Sequence, residues 1–336
     1  MIQVQQNIRD IEDLKLVETE VSDPARNEVQ VNIKAASLNY LDLILVNGSF
    51  GPELPNPYVP LSDGAGVVTK VGEGVKEWNI GDKVYIHYVR DWINGPITPQ
   101  TSKIRVGLQT QGILSEFVNV PQHGLVKAPE NLSFEEASTL PIAGVTAWSG
   151  LFETGNLQAG QTVLTQGTGG VSIFALQFAK AAGAKVIATT STKEKMDFLS
   201  NLGADEVINY KENPDWSKSV KELTDGIGVD ITLDIAGDAT IRKSLEAIKM
   251  NGIVGTVGFI TGSKITIDVV EHLDLRMAKL MGISTGSKAS SESMVQAIEV
   301  NEIKPKVDKI FGFSEVKSAF RYLESGSHIG KVVIKL

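Results

Sequence analysis

The stretch that most constrains this chain is Gln161 to Lys195, QTVLTQGTGGVSIFALQFAKAAGAKVIATTSTKEK. A short apolar run, Thr162 to Thr165, leads into a glycine turn at Gly167, Gly169 and Gly170. Apolar Val171, Phe174, Ala175 and Phe178 then recur at i, i+3, i+4 and i+7, which is helical spacing. Gly183 stands where a helix would end, and the β-branched run Lys185 to Thr190 follows. Strand, glycine turn, helix, strand is a βαβ unit of the dinucleotide-binding kind. Its glycines let backbone approach a pyrophosphate, and the helix N-terminus behind them offers N–H groups and a positive dipole end. Gly167, Thr168, Gly169, Gly170 and Val171 are therefore candidate cofactor-binding residues. The turn departs from G-x-G-x-x-G because Ser172 stands where the third spaced glycine would fall.

A site selective for NAD places an Asp or Glu about 20 residues beyond the glycines, to bind the ribose 2′-hydroxyl. Here Ala188 to Lys193 reads ATTSTK, with no acid. Ser191 and Thr192 offer hydroxyls, and Lys193 and Lys195 offer positive charge. The expected cofactor is thus NADPH rather than NADH. The same residues also have a local use: Ser191 and Glu194 spell an S-x-x-E capping box for the next helix.

The rest of the composition mainly excludes. A chain of 336 residues accommodates two domains with sizeable cores. A net charge of −8 argues against a nucleic-acid surface. No apolar stretch reaches the roughly 18 residues of a membrane span. The opening MIQVQQNIRDIEDLKLVE lacks the order of a secretory signal, so the cytoplasm is the expected location. Cysteine is absent, which removes disulfides, thiolate nucleophiles and cysteine-ligated zinc. The four histidines, His87, His123, His272 and His328, are never three or four residues apart. No protein-bound metal is expected.

Residues 1 to 120 read as β-rich, with alternating or apolar runs at Val29 to Ile33, Val67 to Val71, Asp82 to His87 and Ile113 to Val120. Dense glycines from Gly64 to Gly81 suit the bulges and tight turns of a small barrel. Two long loops interrupt it: Asn47 to Pro60, which contains four prolines, and Arg90 to Leu108. Ser133 with Glu136 forms a capping box, and a second helical run covers Ala143 to Thr154. Strands are then expected at 162–166, 185–190, 206–209, 229–235, 252–258 and 279–284. Helices fall between them, one opening near Pro214 as its first residue and one over Thr240 to Lys249. Six strands with crossover helices fit a doubly wound parallel sheet. Asp234, Gly237 and Gly258 would line its carboxyl edge, where ligands sit. The tail, with a strand at Val307 to Ile310, a helix at Ser314 to Ser325 and a strand at Lys331 to Lys335, is expected to return to the N-terminal domain.

Taken together, AASLNYLDL (35–43), VPLSDGAGVVTKVGEGV (59–75), GDKV (81–84), LPIAGVTAW (140–148), the glycine-turn unit, LGADEVINY (202–210) and GKVVI (330–334) resemble the medium-chain dehydrogenase/reductase superfamily. The likeness spans nearly the whole chain, in the family's order. It is strongest to the zinc-free branch that is named after zinc-type alcohol dehydrogenases and stands next to the quinone oxidoreductases. The resemblance implies an α/β fold: a Rossmann sheet over residues 126–299, plus a β-rich GroES-like barrel domain built from 1–125 and 300–336. It also implies a homodimer formed through the last strand of the nucleotide sheet, near Ala278 to Ser284.

The departures from the family concern metal. Zinc-using members carry Cys, then His-Glu, then a later Cys or Asp; here Asn39 and Ser62-Asp63 stand at the first positions. Neither Asn nor Ser is a useful zinc ligand. Without a Lewis acid a simple alcohol is a poor hydride donor, whereas a conjugated acceptor delocalises the incoming charge. The expected activity is therefore zinc-independent, NADPH-dependent reduction of a quinone or α,β-unsaturated carbonyl. Two alternatives remain at this point: a metal-free alcohol dehydrogenase or carbonyl reductase, and a non-catalytic NADPH-binding sensor. The resemblance assigns Asn39 and Tyr40 to the reacting centre, and Thr146 to a position near the nicotinamide. It gives Ser191, Lys195 and Tyr210 to the 2′-phosphate end, and Gly258, Phe259 and Lys331 to the cofactor cleft. Tyr58, Tyr88 and Trp92 would shape the substrate pocket.

Overall fold

A computed structural model describes residues 1–49 and 53–336. Pro52, which was counted in the first proline loop, lies outside the described residues. The chain divides into two compact units, residues 1–145 with 285–336, and residues 146–284. These boundaries lie inside the expected 126–299. The reason is local packing: the helix Phe134–Ala137 lies on strands Glu28–Leu38 and Asp63–Val71, and the helix Lys288–Val300 lies on strand Leu125–Lys127. Among the described residues no helix is long and apolar enough to cross a membrane.

The second unit holds a six-stranded, all-parallel sheet. Its spatial order is Glu206–Asn209, Lys185–Thr190, Thr162–Gln166, Val229–Asp234, Ile248–Thr256, Lys279–Gly282. Numbered along the chain this order is 3-2-1-4-5-6, the doubly wound arrangement, with its reversal between Thr162–Gln166 and Val229–Asp234. The central strands are apolar on both faces: Val163, Leu164, Val186, Ile187, Ile231 and Leu233 are all buried. The glycine-turn helix runs Gly170–Ala181, and its predicted apolar stripe is inside, with Phe174 stacked on Phe178 and Trp148 edge-on to Phe178.

Several boundaries differ from the sequence reading for local reasons. The helix expected to open at Pro214 begins at Trp216 with Asp215 as its cap. The helix expected over 240–249 is Ile241–Ala247, since Ile248 already starts the next strand. Helical turns do cover Ala143 to Thr154, but Leu140–Gly144 and Ser149–Thr154 are π-helical and only Val145–Trp148 is α.

The first unit is organised by one long strand, Glu28–Leu38. Along one edge its first half pairs with Phe117–Pro121, and its second half pairs with Lys331–Lys335 from the chain's end. Along the other edge it pairs with Asp63–Val71, with register shifts at Gln30/Val31 and Ile33/Ala35 that bend the ladder. Val307–Gly312 pairs with Lys331–Lys335 on the far side, so the tail does return to the N-terminal unit. The core is Val29, Val31, Ile33, Ala36 and Leu38 packed with Val68, Ile86, Leu114, Phe320, Val332 and Ile334. Ser133 caps its helix as predicted: its hydroxyl accepts from the Glu136 N–H and Glu136 accepts from the Ser133 N–H.

Candidate functional site

In the nucleotide unit, strand Thr162–Gln166 turns through Gly167, whose φ of +75° is left-handed and suits glycine. The Gly167 N–H donates to the Thr189 carbonyl at 2.6 Å, which ties the turn to the neighbouring strand. Gly169 is the helix N-cap and has no side chain to satisfy the first-turn N–H groups. A Cβ built on Gly169 would meet nothing within 4 Å, so the turn is open in front of these donors. This is the cradle a pyrophosphate requires, and the residues fit a dinucleotide. Ser172 explains the missing third glycine: its buried hydroxyl donates to the Gln166 carbonyl at 2.5 Å and closes the turn from behind.

The carboxyl ends of the two strands beside this turn carry the selectivity candidates. Asn209 is in register with Thr190, and the Tyr210 N–H donates to the Thr190 carbonyl at 2.9 Å. Ser191 and Lys195 are half-buried, and Tyr210 is exposed. The expected Ser191–Glu194 capping box is not formed. Thr192 is the N-cap, accepting from the Lys195 N–H at 3.3 Å, because the strand continues through Thr190 and only position 192 precedes the first helical residue, Lys193. Lys193 is engaged with Asp197. Thr146 is buried on the short helix Val145–Trp148, and Gly258 and Phe259 follow the strand Ile248–Thr256.

Asp234, expected at the carboxyl edge for a ligand, is fully buried and committed internally. It accepts from the Gly237 and Ala236 N–H groups, from Thr240 and Ser244 hydroxyls and from the Gln166 amide. It organises the loop rather than offering itself to a cofactor.

The first unit builds a separate polar cluster where Glu28–Leu38 ends. Asn39 is the N-cap of helix Tyr40–Val46, and its N–H donates to Asp42 Oδ2 at 2.8 Å. The Asn39 side chain turns away from the helix. Its Nδ2 donates to Asp63 Oδ2 at 2.8 Å, and its Oδ1 accepts from Lys331 Nζ at 2.5 Å. Lys331 also donates to the Leu38 carbonyl at 2.6 Å and lies 3.6 Å from Asp63 Oδ2. Ser37 donates to Asp63, and Ser62 donates to Asp42, each at 3.2 Å. Asp42 and Asp63 are 0% exposed and Lys331 is 4% exposed, whereas Asn39 is only half-buried.

Electrostatics follow from two carboxylates and one ammonium taken out of water. Burial pushes Asp42 up to about 7, with the Asp63 charge adding and the Asn39 N–H opposing. Burial pushes Asp63 up to about 6, against the pull of Lys331, Asn39 and Ser37. Burial also pulls the Lys331 ammonium below its ordinary range, with both carboxylates opposing. Tyr40 is 42% exposed at the helix start. Tyr58 donates to the Gly107 carbonyl at 2.6 Å, and burial raises its phenol. Tyr88 and Trp92 pack together with Val89, Leu41 and Ile142.

This donor set does not fit zinc. It offers one amide, two hydroxyls and two carboxylates, of which Asp63 is already paired with an internal ammonium and Asp42 is taken up by the Asn39 N–H and the Ser62 hydroxyl. Among the described residues no three His, Asp or Glu side chains gather to hold a metal. Of the predicted residues, Asn39 and Lys331 are brought together, with Tyr40 next in the chain. Thr146, the glycine turn, Ser191, Lys195, Tyr210, Gly258 and Phe259 all belong to the other unit. Sequence reasoning missed Asp42, although its spacing three residues after Asn39 is the signal of a residue that caps a helix start.

A parallel 3-2-1-4-5-6 sheet with a glycine cradle, joined to a β-rich unit built from both chain ends, defines a two-unit nicotinamide-type oxidoreductase. Comparison with known proteins agrees. Residues 25–130 match the alcohol dehydrogenase GroES-like domain, and residues 170–300 match the zinc-binding dehydrogenase family. A zinc-type alcohol dehydrogenase-like protein of Schizosaccharomyces pombe is 41% identical, over 99% of this chain and 98% of its own. The chloroplastic NADPH-dependent alkenal/one oxidoreductase of Arabidopsis thaliana is 33% identical, over 96% of this chain and 76% of its own. The Escherichia coli quinone oxidoreductase, solved in complex with NADPH, superposes with a TM-score of 0.85 at 26% identity over the whole of both chains. The chain belongs to the medium-chain dehydrogenase/reductase superfamily and is an oxidoreductase.

Proposed function

We propose that this chain is a zinc-independent reductase that uses NADPH to reduce quinones or α,β-unsaturated carbonyls. The observation that carries the reading is the Asn39–Asp63–Lys331 cluster, an amide backed by a buried ammonium at what the family resemblance implies is the metal-ligand position of zinc-using members. With no Lewis acid to polarise a simple alcohol, hydride transfer favours an acceptor that spreads the charge. The names of the Arabidopsis and Escherichia coli relatives support the same substrate class. Preference for NADPH is supported by the acid-free end of strand Lys185–Thr190, with Ser191, Lys195 and Tyr210 around it. When bound, the nicotinamide supplies the hydride. The chain's own part is to hold the phosphates on the glycine turn, to fix the acceptor, and to supply a donor for its oxygen.

The test is cofactor oxidation against an acceptor panel. Benzoquinone and cyclohexenone are expected to turn over with NADPH, cyclohexanone is not, and EDTA leaves the rate unchanged. Turnover confined to simple alcohols, or dependent on added zinc, would overturn the reading, and no acceptor-dependent oxidation at all would leave a binding protein. In the same assay Lys195→Ala should weaken NADPH roughly 10- to 100-fold and NADH little, as loss of one charge-assisted contact predicts.

The homodimer is part of this proposal. Strand Lys279–Gly282 is the last of its sheet and, among the described residues, pairs only with Ile248–Thr256. Met281 on it is exposed, and so are Val269, Val270, Leu275 and Met277 just before it. Pairing with a symmetry mate would remove both bare edges at once. Light scattering should give a mass twice the 36.2 kDa of one chain, and Met281→Pro should shift it towards one chain. A wild-type mass of one chain at micromolar concentration rejects the dimer.

A further inference from the structure

We propose that Asn39 donates the hydrogen bond that holds the acceptor's carbonyl oxygen, and that Lys331 is the positioning residue that fixes Asn39 as a donor. This rests on the reductase reading above. An Asn side chain presents an acceptor on one side and two donor hydrogens on the other, and only its neighbours decide which way it faces. Here they decide without ambiguity. Lys331 can only donate, so Oδ1 must face it; an ionised Asp63 can only accept, so Nδ2 must face Asp63. Asp63 takes one Nδ2 hydrogen and leaves the second. Of the six polar residues in the cluster, Ser37, Asp42, Ser62, Asp63 and Lys331 are buried and only Asn39 is partly exposed, so a ligand that reaches the cluster reaches it at Asn39.

Lys331 itself points inward. Its ammonium donates to the Leu38 carbonyl and Asn39 Oδ1, with Asp63 as its third neighbour. These commitments leave no donor for a cofactor phosphate, and we assign Lys331 to Asn39 instead. A cation hydrogen-bonded to Oδ1 draws electron density from the amide and strengthens the remaining N–H as a donor. Three hydroxyls of this region are already spent: Ser37 on Asp63, Ser62 on Asp42 and Tyr58 on Gly107. The Tyr40 hydroxyl, on a residue 42% exposed, is not among them, and the Asn39 variants test the amide separately from it. As hydride adds at the β-carbon of an enone, the C=C electron pair moves towards the carbonyl and charge grows on its oxygen, beside the Asn39 N–H. Solvent then supplies the proton to the α-carbon.

The experiment compares Asn39→Ala, Lys331→Met, Lys331→Arg and the Asn39→Ala/Lys331→Met double variant. Asn39→Ala is expected to lower kcat about 10²- to 10³-fold, as loss of one oxyanion donor does. NADPH affinity should be unchanged in every variant. Lys331→Met should lose a similar factor, the double variant should be no worse than Asn39→Ala, and Lys331→Arg should recover part of the rate. Losses that multiply in the double variant, or a fall in NADPH affinity matching the fall in kcat, would overturn the proposal. A second readout needs no activity. The side-chain ¹⁵N–¹H signals of Asn39, assigned by their loss in Asn39→Ala, should shift when wild-type protein is titrated with cyclohexenone. If no acceptor turns over but these signals move, the reductase reading fails and the donor assignment stands. Signals that do not move refute the assignment, whether or not the enzyme is active or Lys331→Met folds.

Discussion

Gly258→Ala is expected to destabilise the nucleotide unit by about 3 kcal/mol and to lower its thermal midpoint by roughly 5–10 °C. Gly258 follows strand Ile248–Thr256, and the family resemblance assigns it to the cofactor. The structure gives it another task. A Cβ there would stand closer than 3.0 Å to the Ile235 carbonyl oxygen, which is backbone and cannot rotate away. The segment around it is bound backbone to backbone: Val257 N–H donates to the Asp234 carbonyl, Thr261 N–H to Ala236, and Asp238 N–H to Gly262. Gly237, with φ +91°, is pressed against Gly262 and Phe259 in the same way. One methyl group must therefore displace two loops at the carboxyl edge of the sheet. Thermal unfolding with and without NADPH distinguishes the roles. A variant of normal stability that has lost only cofactor binding would show that Gly258 matters through the ligand and not through Ile235.

How much of this was legible beforehand depends on the range of the interaction. The six parallel strands were readable because each is a short apolar run, β-branched in all but Lys279–Gly282, between glycine or polar breaks, and strand–helix alternation implies parallel pairing. Local competition was harder to read. Ser191 and Thr192 are both good caps, and strand length, not residue type, decided for Thr192. Pro214 is a good first helical residue, yet the helix waits for Asp215. Asp234 looked available at a strand end, but five donors converge on it, from the loop after it, the helix Ile241–Ala247 and the end of strand Thr162–Gln166, and no local pattern announces them.

The candidate site divides in the same way. The glycine turn is contiguous, so its chemistry is visible in a dozen residues. The Asn39 cluster is not contiguous: Lys331 lies 292 positions from Asn39, and Asp63 lies 24 from it. Only the pairing of strand Lys331–Lys335 with the end of Glu28–Leu38 brings that ammonium home. The resemblance set Asn39 and Ser62-Asp63 against the metal-ligand positions of other members, but the cation that faces these carboxylates comes from the other end of the chain.

Asp42→Asn is expected to stabilise the protein at about pH 8 by roughly 2–4 kcal/mol, with little effect at about pH 3.5. Two buried carboxylates face one buried ammonium, and Asp63 is the nearer to it at 3.6 Å. Asp42 has no cation of its own, and burial pushes it up to about 7. Its unfolded value is the ordinary 3.8, so between those limits the folded protein binds the extra proton. Stability from this group is complete below about pH 4 and is lost as the pH rises towards 7. An Asn side chain carries no charge to bury. It can still accept from the Asn39 N–H through Oδ1, and its Nδ2 can donate to Ser62, whose hydroxyl oxygen accepts as readily as it donates. Both local hydrogen bonds survive, while the uncompensated charge and its repulsion of Asp63 are removed. Asp63 then ionises more easily and holds Lys331 more firmly. Urea unfolding of both proteins at the two pH values provides the measurement, since contributions common to both cancel in the difference. A variant less stable than wild type by the same amount at both pH values would mean that Asp42 is held as a stable anion in the folded protein.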